Sequence, residues 1–346
     1  MTWQRVRMES TGWDSDLRFE EVAQAPSAPG AHEVLVEVEA CGVCHRDLID
    51  RAGRFPFLQL PVTPGHEVVG RVIAAGSAVS AWEVGDRVGT FHRDSCGACA
   101  PCRDARPDQC LGAAHVFGLL ADGGYASHLV APERAFFPVP AAIPAAEAAV
   151  IHCALGSAWR GLVSVGRVQP GEKVLITGAN GGVGACGIQI ARRMGAHVTA
   201  VVRRECHVAF VESLGAHRVV VDDGSSFHRQ GLAGQMDLVL ETVGSPTFNA
   251  SLRSAVARGR ISVVGNVSSE RASVNLGQIV VRELRIQGPG AANAEDMAAI
   301  FAEHERDRFI IPILEELPLE QADPAQRRML AGGLEGRLVL IPEVRS

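Results

Sequence analysis

Four cysteines, Cys96, Cys99, Cys102 and Cys110, form a C-x2-C-x2-C-x7-C run in a chain of 346 residues. A loop with that spacing can wrap four thiolates tetrahedrally around one Zn²⁺ ion and leave it no open position. The alternative, four free thiols on one loop, is oxidation-prone and serves nothing. Elsewhere Cys44, His66, Glu67 and Cys153 offer sulfur, imidazole and carboxylate donors. That mixture leaves a zinc ion one exchangeable position for water or a substrate oxygen. A single Cys or His is ordinarily a packing or hydrogen-bonding residue, so the second set means something only if the fold gathers it.

The elements that must do the gathering fall into two halves. Up to about residue 150 the chain is dense in Gly and Pro, with short runs such as 33–40 (EVLVEVEA), 68–75 (VVGRVIAA) and 86–90 (DRVGT). Closely spaced short strands with turn residues between them predict a barrel-like all-β unit. From about 154 the rhythm changes to apolar runs at 173–177, 197–202, 218–221, 236–240, 260–264 and 284–287, mostly separated by helix-length segments. That alternation predicts βαβ units and a parallel sheet. A helical stretch at 294–309, residues 312–317 and a strand-like 337–341 follow, and with six strands already assigned to the second unit the tail is expected to return to the first.

The first of those apolar runs, KVLIT, leads into Gly178-Ala179-Asn180-Gly181-Gly182-Val183-Gly184 and a helix-like 185–194. Strand, glycine turn and helix in this order let the backbone approach a pyrophosphate, whose charge meets free N–H groups at the helix start. The next strand ends at Val202, which cannot accept from a ribose hydroxyl, and continues Arg203-Arg204-Glu205. Two guanidiniums there suit a 2′-phosphate, so NADP(H) is expected rather than NAD. The competing reading has Arg203 and Arg204 solvating a turn while Glu205 contacts the ribose.

A net charge of −6, 21% charged residues and no block of like charges give no footprint for nucleic acid or an anionic membrane. A small molecule is therefore the expected partner. Lys173 is the only lysine, which reads as genome composition. The start lacks the apolar core of a secretion signal, the cysteines are odd in number with four at zinc spacing, and the longest apolar stretch is broken by Pro140, Pro144, Glu147 and His152. A reducing cytoplasm and no membrane span are expected.

Taken together, CGVC at 41–44, GHEVVG at 65–70, VGDRV at 84–88, the cysteine lobe, GGYASH at 123–128, Cys153, GANGGVG and GRLVL at 336–340 resemble the zinc-containing medium-chain dehydrogenase/reductases, the alcohol dehydrogenase superfamily, over nearly the full length. The likeness implies a two-domain α/β fold: a GroES-like β-barrel catalytic domain (1–153 and 291–346) and a Rossmann doubly wound sheet (154–290). It implies two zinc ions per chain, with an active site in the cleft between the domains. Cys44, His66 and Cys153 become ligands of a catalytic zinc, Glu67 an adjacent carboxylate that ligates or exchanges with water, and Asp47 the partner that orients His66. His45, Val243, Gly265 and Asn266 join the glycine loop, Arg203 and Arg204 as cofactor contacts.

One departure stands out. Relatives carry Ser or Thr two residues after the first ligand, starting a proton relay, and often His a few residues on; here Arg46 and Ile49 occupy those places. A guanidinium cannot shuttle a proton as a hydroxyl does. CGVCHRDL, GSPTFNASL at 244–252 and GRISVVGNV at 259–267 are similar to zinc-type acryloyl-CoA reductases, where Arg46 would suit an anionic substrate group or the cofactor; the plain alternative is a structural Arg. Hydride transfer between NADP(H) and a carbonyl or alcohol carbon is expected, with enoyl reduction the alternative and a non-catalytic scaffold the remote one. Phe55, Phe57, Phe91, Trp159 and residues 267–269 are candidate cleft residues, and a homodimer or homotetramer follows by analogy.

Overall fold

The computed structural model describes residues 3–23, 28–104, 106–112, 115–268 and 270–343. Two compact units emerge: Met1–Cys153 with Ile313–Gly333 and Arg337–Ser346, and Ala154–Pro312 with Leu334–Gly336.

The first unit is built on a seven-stranded sheet. Its order runs Ile313–Pro318, Arg337–Ile341, Glu33–Gly42, Glu67–Ala75, Arg87–Thr90 and Phe136–Pro138, with His128–Pro132 also on Glu33–Gly42. All pairings are antiparallel except the first. The central strand Glu33–Gly42 buries Val34, Val36, Val38, Ala40 and Cys41. The helix His45–Arg51 follows it, and Asp47 closes its start by accepting from the Cys44 N–H at 2.9 Å.

The second unit holds six parallel strands in the order Arg218–Val221, His197–Val202, Lys173–Ile176, Met236–Glu241, Ala255–Val263 and Arg285–Gln287. In chain order that is 3-2-1-4-5-6, the doubly wound arrangement whose switch point lies beside the first strand. The core packs Leu175, Val201, Val239 and Ile261 from the sheet with Phe227 and Phe248. Helix Gly182–Arg193 lies close to the sheet because Gly187 has no Cβ, which would sit 2.6 Å from Leu240.

The expected return to the first domain at 291 is corrected by the structure. The chain stays with the second unit until Pro312 because helix Ala294–Arg306 is anchored there. Asp296 accepts from Arg160 at 2.7 Å and from Ser164, and Gln189 exchanges two 2.8 Å hydrogen bonds with the Ile310 backbone. Nothing in the apolar rhythm of 291–312 reveals those polar anchors. Residues 334–336 also side with the second unit, where Asn180 donates to the Leu334 carbonyl at 3.1 Å and His207 meets Glu335 at 2.6 Å.

Candidate metal centres and dinucleotide site

The cysteine lobe closes as its spacing predicts: one donor atom from each of Cys96, Cys99, Cys102 and Cys110 lies within 4.8 Å of the others. Tetrahedral zinc–sulfur bonds of about 2.3 Å require sulfurs about 3.8 Å apart. The observed separations are 4.0 Å for Cys96–Cys102, 3.4 Å for Cys99–Cys102 and 3.9 Å for Cys99–Cys110. Backbone N–H groups of Ala98 and Cys99 point at the Cys96 sulfur, and those of Cys96 and Gly112 at Cys110, at 3.2–3.4 Å. Donors converging on sulfur stabilise thiolate over thiol. The donor set fits a closed zinc site.

Cys44, His66, Glu67 and Cys153 also converge, again with donor atoms within 4.8 Å of one another. Three separate segments deliver them. Cys44 caps helix His45–Arg51, His66 precedes strand Glu67–Ala75, Glu67 starts it, and Cys153 lies in helix Ala145–Trp159. The Cys44 and Cys153 sulfurs are 3.8 Å apart, the tetrahedral spacing, and His66 Nε2 is 3.9 Å from Glu67 Oε1. Cys153 donates to the Cys44 sulfur, which holds Cys44 well below an ordinary thiol and Cys153 well above one. One thiolate and one thiol thus share a proton that a cation would displace.

His66 Nδ1 faces Asp47 Oδ1 at 3.1 Å, and Tyr125 donates to Asp47 Oδ2 at 3.0 Å. With Nδ1–H donating to Asp47, Nε2 is the nitrogen left for a cation. Burial and the Arg46 charge oppose protonation of His66, but Asp47 and the Cys44 thiolate outweigh them and hold it to about 10. Burial likewise lifts Glu67 to about 7, against the pull of Arg337. Arg337 binds Glu67 Oε2 and the Val43 carbonyl at 2.8 Å, whereas Glu67 Oε1 is buried with no hydrogen-bond donor among the described residues. An orphaned carboxylate oxygen beside two sulfurs and an imidazole fits a cation.

The Arg46 guanidinium, for which an anionic partner and a structural role were both expected alternatives, is engaged within the chain. Its Nε lies 3.1 Å from Asp50 Oδ2, and Nη2 donates to the Phe117 carbonyl. His45 is exposed at the first helical position, and Ile49 is half-buried.

The glycine turn has the geometry its sequence predicts. Gly178 takes a positive φ of 54°, and Gly181 is the N-cap of helix Gly182–Arg193. A Cβ on Gly184 would press within 2.7 Å of Ala179 Cα, so the helix start approaches the turn only because Gly184 is bare. Asn180 faces inward to Leu334, and Val183 lies in the first helical turn. Arg203 and Arg204 are exposed directly after strand His197–Val202 and have no ion-pair partner among the described residues. Val243, Gly265 and Asn266 meet where Val267 N–H donates to the Val243 carbonyl at 2.9 Å and the Asn266 backbone crowds Gly244. Phe57 is exposed, Phe91 packs on Phe137 and His152, and Ser269 lies outside the described residues.

Two family models match: the alcohol dehydrogenase GroES-like domain over residues 30–141 and zinc-binding dehydrogenase over 182–305. An acryloyl-coenzyme A reductase of Sulfurisphaera tokodaii is 31% identical over 91% of this chain and 93% of its own. The chain belongs to the medium-chain dehydrogenase/reductase family. An alcohol dehydrogenase of Geobacillus stearothermophilus is 32% identical over 94% of this dehydrogenase/reductase and 96% of its own length. The solved structure of AibC superimposes with a TM-score of 0.88 at 36% identity, covering 99% and 96% of the two chains. As an oxidoreductase of this family, the protein has no helix among the described residues long and apolar enough to cross a membrane.

Four residues of the dehydrogenase/reductase escaped the sequence reading. Tyr125, the only tyrosine, and Arg337 sit inside quoted motifs yet act through contacts from distant segments. Glu241 is fully buried at the end of an apolar strand, where a carboxylate is itself a signal. Asp50, 2% exposed, was hidden by its place on a short helix.

Proposed function

We propose that this protein is a zinc-dependent NADP(H) oxidoreductase acting on a carbonyl or alcohol carbon. The convergence of Cys44, His66, Cys153 and the free oxygen of Glu67 is the observation that carries the reading. When bound, zinc supplies Lewis-acid polarisation of a substrate oxygen and the dinucleotide supplies or accepts hydride.

The chain's own residues do the positioning. The Cys44 and Cys153 sulfurs and His66 Nε2 would hold the metal, with Glu67 Oε1 beside them. Asp47 fixes the His66 ring, Tyr125 fixes Asp47, and Arg337 balances the charge of Glu67. The turn 178–184 offers backbone N–H groups to a pyrophosphate, and Arg203 and Arg204, with no ion-pair partner among the described residues, suit a 2′-phosphate. The cysteine lobe would hold a second zinc ion away from the chemistry.

A second reading, reduction of an activated C=C bond in an enoyl thioester, draws on the likeness to acryloyl-coenzyme A reductases and on Arg46 and Ile49 in place of a hydroxyl and an imidazole. Metal analysis combined with NADPH and NADH oxidation across aldehydes, ketones and enoyl thioesters tests both. Turnover of aldehydes or ketones supports the first reading, and turnover of enoyl thioesters alone supports the second. A zinc-replete protein inert toward every class would defeat both.

A further inference from the structure

Three polar atoms in one place lack hydrogen-bond partners among the described residues: Arg46 Nε and both carboxylate oxygens of Asp50. Asp50 is 2% exposed, and the two side chains form an i,i+4 ion pair at 3.1 Å whose N–H is not aligned on the carboxylate. A buried carboxylate accepting no hydrogen bond is rare and calls for an explanation. The pair sits on helix His45–Arg51, which starts at Cys44 and also carries Asp47, the partner of His66.

Reduction of a carbonyl moves two electrons and one hydrogen as hydride, leaving an oxyanion that must gain a proton from elsewhere. Arg46 cannot provide it, because a guanidinium stays charged. We propose that Asp50, held by Arg46, is the residue that stores and returns this proton. In the reducing direction the Asp50 carboxyl O–H bond breaks, its proton passes through hydrogen-bonded water to the substrate oxygen, and a new O–H bond forms there. The carboxylate left behind is paired with Arg46 and takes a fresh proton from solvent; oxidation runs the same transfer backwards. The inference rests on the proposed hydride transfer.

The surroundings of Asp50 support such a store. Burial raises it most, Arg46 pulls it down, Asp47 and the Cys44 thiolate push it up and His66 opposes them, which brings the carboxyl to about 7. On the packed helix Ala322–Ala331, Asp323 and Arg327 are engaged with Arg51 and Asp16, and Arg328 with Glu315. A carboxyl poised near neutrality both gives and takes a proton efficiently.

The test uses zinc-loaded wild type, Asp50→Asn and Asp50→Glu, with urea midpoints measured to establish that each variant folds. Wild-type-minus-Asp50→Asn infrared difference spectra should contain a protonated-carboxyl C=O band that fades as pH rises through neutrality. In turnover, Asp50→Asn should lower kcat for carbonyl reduction at least tenfold, leave KM for NADPH unchanged and flatten the limb near neutral pH; Asp50→Glu should restore part of the limb. Absence of the infrared band, or an unchanged limb in Asp50→Asn, overturns the inference. If the wild type reduces nothing, the proposed function fails instead, and the infrared band alone decides whether Asp50 holds a proton.

Discussion

Replacing Glu241 should loosen the nucleotide-binding unit in a way that can be sized from its contacts. The side chain is fully buried. Its Oε1 accepts from Thr177 Oγ1 at 2.9 Å, Val243 N and Gly244 N at 3.0 Å, and Thr247 Oγ1 at 2.6 Å, while Oε2 accepts from Ser251. In Glu241→Ala the three hydroxyls can re-aim, but the two backbone N–H groups cannot. A buried donor left unpaired costs about 1–3 kcal/mol, which falls in full on the buried Gly244 N–H and in part on that of half-buried Val243, before any cavity cost. Against a typical domain stability of about 5–15 kcal/mol that is substantial. Glu241→Gln keeps one oxygen for the converging donors and lets Ser251 accept from the new amide, so about 1–3 kcal/mol is expected from the lost charge-assisted bonds. Urea unfolding, read with amide exchange at Val243 and Gly244, distinguishes local opening from global unfolding. NADPH titration should weaken in parallel, since the Val243–Gly244 turn is part of the proposed cofactor site. An alanine variant within about 0.5 kcal/mol of wild type, with both amides still protected, would refute the reasoning.

Cys102→Ser should remove one zinc ion per chain and expose the 96–112 lobe to protease, while metal bound through Cys44 remains; loss of all metal would contradict separate sites. Arg203→Ala with Arg204→Ala should raise KM for NADPH about tenfold or more while sparing NADH, as each charge-assisted phosphate contact is worth about 1.5–3 kcal/mol; equal effects on both cofactors would place the 2′-phosphate elsewhere. Tyr125→Phe should lower zinc affinity roughly tenfold through the freed Asp47, at the mild end of effects on groups behind a ligand; competition with a chromophoric chelator measures it. Asp323 carries a pH signature: burial raises its pKa, but Arg327, the Leu17 N–H and Arg51 outweigh it and leave the carboxyl below its ordinary 3.8. The carboxylate therefore stabilises the fold above 3.8 and stops doing so as pH falls through the lower folded value. Urea midpoints of Asp323→Asn should lie below wild type near neutrality and converge in strong acid; a gap that persists there would point to packing instead.

What could be read in advance was whatever depends on neighbours in the chain. The cysteine lobe lies within 15 residues, Cys96 to Cys110, so spacing alone carried its geometry. Strand, glycine turn and helix at 173–193 are likewise local, and six apolar runs at βαβ spacing were enough to predict a parallel sheet. The second metal set was legible only through resemblance, because Cys44, His66 and Cys153 are brought together by pairing of Glu33–Gly42 with Glu67–Ala75 and by packing of a later helix. The roles of residues that act through long-range polar contacts could not be read from their neighbours in the chain. Arg337 reaches Glu67 across 270 positions, and Asp296, 136 positions from Arg160, holds helix Ala294–Arg306 in the second unit. Arg46 lies between these cases. Its mismatch with relatives was visible in the motif, but the partner that neutralises it, Asp50, is four residues away on a helix too short to show a pattern. Had Arg46 been free, an anionic substrate group would have been its natural counterpart; with Asp50 already there, the pair is better suited to holding a proton than to binding an anion.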